Sequence, residues 1–181
     1  PENEERLKYI SGFSGSSGFG IISSNINIKS AIFSDGRYKL QLKKEVDHIN
    51  FDSFEGGIKE IGQFLIKNQN FFINLAIDPW LITLTQYNNL KKIIQNNKIN
   101  LIFLKSNLID EIWLNNKQEL SKPVYELSTH YTGKKRSSKI IELTQKIKDN
   151  GGDYYILFRP TGLAWLLNIR GNDLKHTPVS R

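Results

Sequence analysis

Between Ser53 and Trp113 the apolar residues alternate between helical spacing and short continuous runs, and this alternation constrains the fold more than any other feature. Ile58, Ile61, Leu65 and Ile66 recur at three- and four-residue intervals, which predicts an amphipathic helix from Glu55 to about Asn68, with Ser53 as an upstream cap. Phe71 to Ile77 reads as a buried strand ending at Asp78-Pro79. Thr83 or Thr85 opens a second helix, with Leu84, Tyr87, Leu90, Ile93 and Ile94 on its apolar side and Asn96-Asn97 at its end. Asn100 to Leu104 is a further strand, and Leu108 to Trp113 a short helix that buries Leu108, Ile112 and Trp113. Strands that alternate with helices of this length make an α/β layer, because each helix must cover a sheet face.

The first fifty residues read as strands and turns. Ile21-Ile22, Ile26-Asn27-Ile28 and Ala31-Ile32-Phe33 are short apolar segments separated by glycines and by Asp35-Gly36, a dipeptide suited to tight reversal, which predicts an antiparallel meander. Tyr38 to Lys44 can start as helix before an extended Ile49 to Phe51. After the polar stretch Asn115 to Pro123 a second unit begins. Ser137 or Ser138 caps a helix with an apolar stripe of Ile140, Ile141, Leu143 and Ile147, and Gly151-Gly152 stops it. A strand at Tyr154 to Phe158 and a helix at Leu163 to Asn168 follow. So short a unit closes a core with difficulty. The division expected is therefore 1–122 for a first domain and 123–181 for the opening of a second whose remainder lies downstream, with the front of the chain trimmed, since it starts at Pro1 and contains no Met.

Composition removes several classes of function. With no Cys among 181 residues, a disulfide framework, a thiolate metal site and a thiol nucleophile are excluded, and a reducing, cytoplasmic setting fits. No apolar run approaches the 18 or so residues of a membrane span. The net charge of +7 comes mostly from Lys scattered among Asn and Ile, which reads as solvated charge and predicts no nucleic-acid partner.

Few motifs carry chemistry. Ser11-Gly12-Phe13-Ser14-Gly15-Ser16-Ser17-Gly18 lacks the following Lys-Ser or Lys-Thr, and a strand rather than a helix comes next, so its glycines serve tight turns and close packing under Phe13, not a phosphate. His48, His130 and His176 stand in unrelated contexts; no metal-binding spacing and no nucleophile elbow occurs, and no catalytic or metal-ligating residue is expected. Asp35-Gly36-Arg37-Tyr38 is the exception: an Arg after an Asp-Gly turn suits a carboxylate, with a local ion pair to Asp35 or Glu45 as the plainer use.

The run Gly12 to Gly18 followed by Asp35-Gly36-Arg37-Tyr38 resembles the N-terminal part of Xaa-Pro aminopeptidases (aminopeptidase P). Ile77-Asp78-Pro79, Asn107 to Trp113, Tyr131-Thr132-Gly133, and Ala164 to Asp173 with Pro178-Val179 match in order. The resemblance implies two successive creatinase-like N-terminal domains, each a ribonuclease-H-like mixed sheet flanked by helices, the second incomplete. It also implies a downstream pita-bread catalytic domain with two divalent metals, manganese in the usual case, so that this region needs no cofactor and is inactive alone. A proline-containing peptide substrate, a homodimer and a substrate-binding role for Arg37 are implied as well, with the Trp165 to Gly171 segment structural, Trp165 buried and Arg170 positioned by it. A metal-free binding module, as in peptidase-like histone chaperones, and a basic nucleic-acid-binding fragment are the alternatives.

Overall fold

The computed structural model describes residues 4–72, 74–113, 122–173 and 176–179. They fall into two compact units, 4–113 and 122–179, on either side of a division between Asn116 and Lys117.

The first unit starts with helix α1 (Arg6–Ser11), closed by Gly12 in the left-handed region at φ 80°. Three strands follow, β1 (Phe19–Ile21), β2 (Ser30–Ser34) and β3 (Phe51–Glu55), in the order β1-β2-β3. β1 runs antiparallel to β2, with Phe19 opposite Phe33 and Ile21 opposite Ala31. β3 runs parallel to β2, from Ser30 opposite Phe51 to Ser34 opposite Glu55. The expected meander therefore holds for the first pair and fails for the second. Asp35-Gly36 does not reverse the chain: Asp35 caps a 3-10 turn, Gly36–Tyr38, that leads into helix α2 (Lys39–Glu45) and carries the chain back over the sheet. A parallel pair needs such a crossover, and Leu42, Val46 and Tyr38 supply the apolar surface that seats it. Ile26, expected in a strand, sits in a turn and is 99% exposed.

The alternation after Ser53 is present as helix α3 (Ile58–Lys67), strand β4 (Asn74–Ile77), helix α4 (Leu84–Ile94), strand β5 (Asn100–Phe103) and helix α5 (Leu108–Ile112). β4 and β5 pair in parallel, Asn74 opposite Asn100 and Ile77 opposite Phe103. Ser53 lies inside β3, so the start of α3 is fixed instead by Gly57, whose N–H donates to the Glu60 carboxylate at 2.8 Å. Thr83 is the cap of α4: its hydroxyl accepts from the Gln86 N–H at 3.2 Å, and Gln86 accepts from the Thr83 N–H at 2.9 Å. Phe71 belongs to a short 3-10 turn, and Ile73 of the expected strand lies outside the described residues, as does most of the polar stretch Asn115 to Pro123. The expected burial of α5 is not found, since Leu108 and Ile112 are exposed. Polar and aromatic contacts hold that helix in place of core packing. The Arg6 guanidinium grips Asp110 with two bonds of 2.7 and 2.8 Å, and Trp113 stacks on Tyr9 at 4.6 Å.

β2 separates two cores. Ala31 and Phe33 face Ile61, Leu65, Leu90, Ile94 and Ile99; Ile32, pointing the other way, meets Phe13, Leu42, Val46 and Phe51. Side chains alternate across a strand, and here both faces are covered.

The second unit contains β6 (Tyr125–Glu126), α6 (Thr129–Thr132), α7 (Arg136–Asp149), α8 (Pro160–Leu167) and β7 (Ile169–Arg170), with β6 and β7 antiparallel. Gly151 at φ 73° and Gly152, donating to the Ile147 carbonyl at 2.9 Å, stop α7 as the sequence predicts. Other expectations need correction. Lys135 rather than Ser137 or Ser138 precedes α7, whose Ile140 and Ile141 are exposed while Lys139 is buried. Tyr154 to Phe158 forms no strand, because no backbone pairs with it among the described residues; Tyr154 is 92% and Phe158 87% exposed. Trp165 is 59% exposed, not buried; Ala164 and Leu166 take the inner face of α8. Arg170 is fixed independently of the Trp165 ring, its Nη1 donating to the Ala164 and Ile169 carbonyls at 3.2 and 2.8 Å. Among the described residues no helix is long and apolar enough to cross a membrane.

Candidate functional site

The residue that the sequence nominates, Arg37, lies in the 3-10 turn after β2, with its side chain 75% exposed. The geometry resolves which carboxylate it meets. Arg37 Nε and Nη2 donate to the two oxygens of Asp35, each at 2.8 Å, and the Arg37 backbone N–H donates to Asp35 Oδ1 at 3.1 Å. Glu45, the other candidate, is engaged elsewhere: it accepts from the Ser14 N–H and hydroxyl, both at 2.9 Å, and from Gln41. Hydrogen bonds from the Arg37 side chain hold the Asp35 carboxyl below the ordinary carboxylate range, and Asp35 raises the guanidinium correspondingly. The Ser14 N–H is the main cause of the lowered Glu45 value.

The turn is braced from below. The Arg37 guanidinium carbon sits 5.4 Å from the centre of the Tyr38 ring. Tyr38 in turn shares a 2.6 Å hydroxyl hydrogen bond with Ser16 and meets Phe13 edge-on at 5.9 Å. Phe13 is 1% exposed, and a side chain at Gly15 would run into its ring, so the glycine-rich run works as packing around Phe13. Next to the turn, at the carboxyl ends of β2 and β3, lies an open cleft of about 370 Å³ bordered by Ser17, Ser34, Asp35, Gly36, Glu55 and Gly57. Lys39 pairs with Glu55 there at 3.2 Å.

The other motif residues hold structure together. Asp78 accepts from the Trp80 N–H at 2.9 Å and from the Asn107 side chain at 2.7 Å, while Asn107 caps α5 through the Ile109 N–H. Gly133, at φ 69°, closes α6. Lys139 carries no signal in the sequence, yet it is 4% exposed, donates to the Trp165 carbonyl and to Asn168 Oδ1 at 2.8 and 2.7 Å, and lies 4.3 Å from the Trp165 ring centre. Among the described residues no three His, Asp or Glu side chains converge to hold a metal ion, so the donor set does not fit a dinuclear metal centre.

Comparison with known proteins agrees along the whole chain. Residues 2–111 and 115–181 each match a family model described as the creatinase/prolidase N-terminal domain. A probable Xaa-Pro aminopeptidase P of Laccaria bicolor is 32% identical over 97% of the chain and 27% of its own length. The Xaa-Pro aminopeptidase 1 of Dictyostelium discoideum is 32% identical over 97% of the chain and 29% of its own length. The chain thus spans little more than a quarter of these relatives. The crystal structure of an X-prolyl aminopeptidase from Caenorhabditis elegans, described as a cytosolic enzyme with a di-nuclear active site, superposes with a TM-score of 0.80 at 25% identity, over 98% of the chain and 29% of that structure. With an α/β fold, a mixed sheet and two matching segments in succession, the chain belongs to the creatinase/prolidase N-terminal domain family.

Proposed function

We propose that this chain is the N-terminal region of an Xaa-Pro aminopeptidase, an enzyme that removes the residue preceding a proline at the start of a peptide. The observation that carries the reading is its continuity: similarity to aminopeptidases runs through both units, over 97% of the chain in sequence and 98% in structure. The names of these relatives favour a peptidase over a metal-free binding module. The two divalent metals, manganese in this reading, belong to a catalytic domain outside these residues and supply the activated water when bound. What this chain contributes is a wall of the substrate cleft and part of a homodimer interface. Arg37 is the residue that meets the peptide, because it is a permanently charged, exposed fork on a rigid turn. The cytosolic description of the Caenorhabditis elegans enzyme and the lack of Cys support a cytoplasmic setting.

The test is hydrolysis by the full-length protein of matched Xaa-Pro-Yaa and Xaa-Ala-Yaa peptides with manganese present, beside this 181-residue chain alone. Release of the first residue from the proline peptide by the full-length protein only is expected. Absence of that activity overturns the enzymatic reading, and activity in the chain alone overturns the division of labour. Sedimentation of the full-length protein as a monomer overturns the dimer.

A further inference from the structure

An exposed arginine ordinarily samples many rotamers, and ordering it costs entropy that a surface ion pair barely offsets. Arg37 is nevertheless restrained from two directions, by both oxygens of Asp35 and by the face of Tyr38, and Tyr38 is itself fixed by Ser16 and the buried Phe13. A guanidinium carries five N–H groups in a planar fork. Asp35 takes the side edge, Nε with one Nη2 hydrogen, and no other side-chain hydrogen bond of Arg37 is made among the described residues. The end edge, Nη1 with the second Nη2 hydrogen, therefore stays available. Two parallel N–H vectors on that edge match the two oxygens of a carboxylate, whereas a single amide carbonyl uses the edge less well.

Resting on the substrate-contacting role given to Arg37 above, we infer that Asp35 is a positioning residue that locks the side edge of Arg37 and turns its end edge toward the free C-terminal carboxylate of a short peptide substrate. Asp35 does not touch the peptide; it acts through Arg37. The preference that results is for short peptides bearing a free acid over the same peptides with an amidated end.

Asp35→Asn is the informative change. The remaining side-chain oxygen still accepts from the Arg37 backbone N–H, so the turn keeps its cap, but the amide group that replaces the second oxygen confronts Nη2 donor to donor. The assay is hydrolysis by the full-length protein of an Xaa-Pro-Yaa tripeptide as the free acid and as the amide. For the free acid, Asp35→Asn and Arg37→Ala are each expected to raise KM about 3- to 10-fold with kcat within about twofold, as loss of uniform binding requires. The amide should lose less than the free acid with either change, because its carbonyl uses the edge less well, and Asp35→Glu should restore part of the loss. A KM unchanged by Asp35→Asn, or raised equally for acid and amide, overturns the positioning role. Absence of hydrolysis by the unsubstituted protein refutes the aminopeptidase reading instead. Unchanged kinetics in Arg37→Ala refute the Arg37 contact, and the positioning role with it.

Discussion

Replacing Gly62 by Ala sets two effects of known size against each other. Gly62 is a buried residue in the interior of α3, where alanine is favoured over glycine by about 1 kcal/mol through backbone entropy alone. Against that gain stands α4. A methyl group at position 62 would lie 2.5 Å from Ile93 Cγ2, 3.2 Å from Ile93 Cβ and 3.3 Å from Ile93 Cδ1. The nearest atom sits on a β-branched carbon within a helix, where one rotamer dominates, so it cannot swing aside as the end of a long side chain would. Relief requires the two helices to separate, and overpacking of this kind costs about 1–3 kcal/mol. Gly62→Ala should therefore destabilise the first unit by about 0–2 kcal/mol despite its better helix propensity. The decisive measurement is a double-mutant cycle with Ile93→Ala, followed by urea unfolding monitored through amide resonances of α3 and α4. Ile93→Ala removes the obstructing methyl group, so in that background Gly62→Ala should stabilise by up to about 1 kcal/mol, a coupling of about 1–3 kcal/mol between the sites. If Gly62→Ala has the same effect in both backgrounds, the contact with Ile93 does not control the spacing of α3 and α4.

Three other outcomes are expected. Asp35, Glu45, Asp47, Glu60 and Asp110 all have lowered pKa values in the folded chain, chiefly through hydrogen bonds to the charged form, so their contribution is complete above the ordinary carboxylate pKa and is lost as pH falls through and below about 4. Melting temperature should decline on that acid side, and carboxyl titrations by NMR that fall at unperturbed values would contradict it. Lys139→Met should loosen the second unit by about 1–3 kcal/mol, because the Trp165 carbonyl and Asn168 Oδ1 lose their donor, and hydrogen exchange confined to α7 and α8 is the readout. Tyr154→Lys together with Phe158→Lys should raise the solubility of the chain without changing amide protection in the first unit, since both side chains are exposed on a segment outside any helix or strand. Undiminished aggregation in light scattering would show that another surface is responsible.

The sequence makes the helices and strands after Ser53 legible because each has a period of its own, and the cap at Thr83 follows from its Gln86 partner. The direction of β3 is not written in any period. It depends on whether Asp35-Gly36 reverses the chain or caps a turn, and the Arg37 side chain that Asp35 grips is part of that outcome. Apolar spacing also misleads in the second unit, where Ile140, Ile141 and Trp165 are exposed and a lysine lies inside. Propensity describes a residue, whereas burial needs a surface to meet it, and Tyr154, Tyr155, Ile156 and Phe158 stay exposed. At the candidate site Arg37 and both possible carboxylates were readable. The bracing through Tyr38, Ser16 and Phe13 was not, because it joins residues 22 and more positions apart, and spacing along the chain does not show which hydroxyls and rings meet.

β2 also makes the chain unequally tolerant of changes in length. Ile32 belongs to one core and Ala31 and Phe33 to the other, so sliding the strand by a single position would exchange the contents of the two compartments, placing phenylalanine where isoleucine fits and isoleucine where phenylalanine fits. An extra residue in the turn around Ile26 is absorbed at the surface, while the same insertion between Ala31 and Phe33 trades one interior for the other. The turn before Ser30 therefore takes an added residue more easily than β2 itself does.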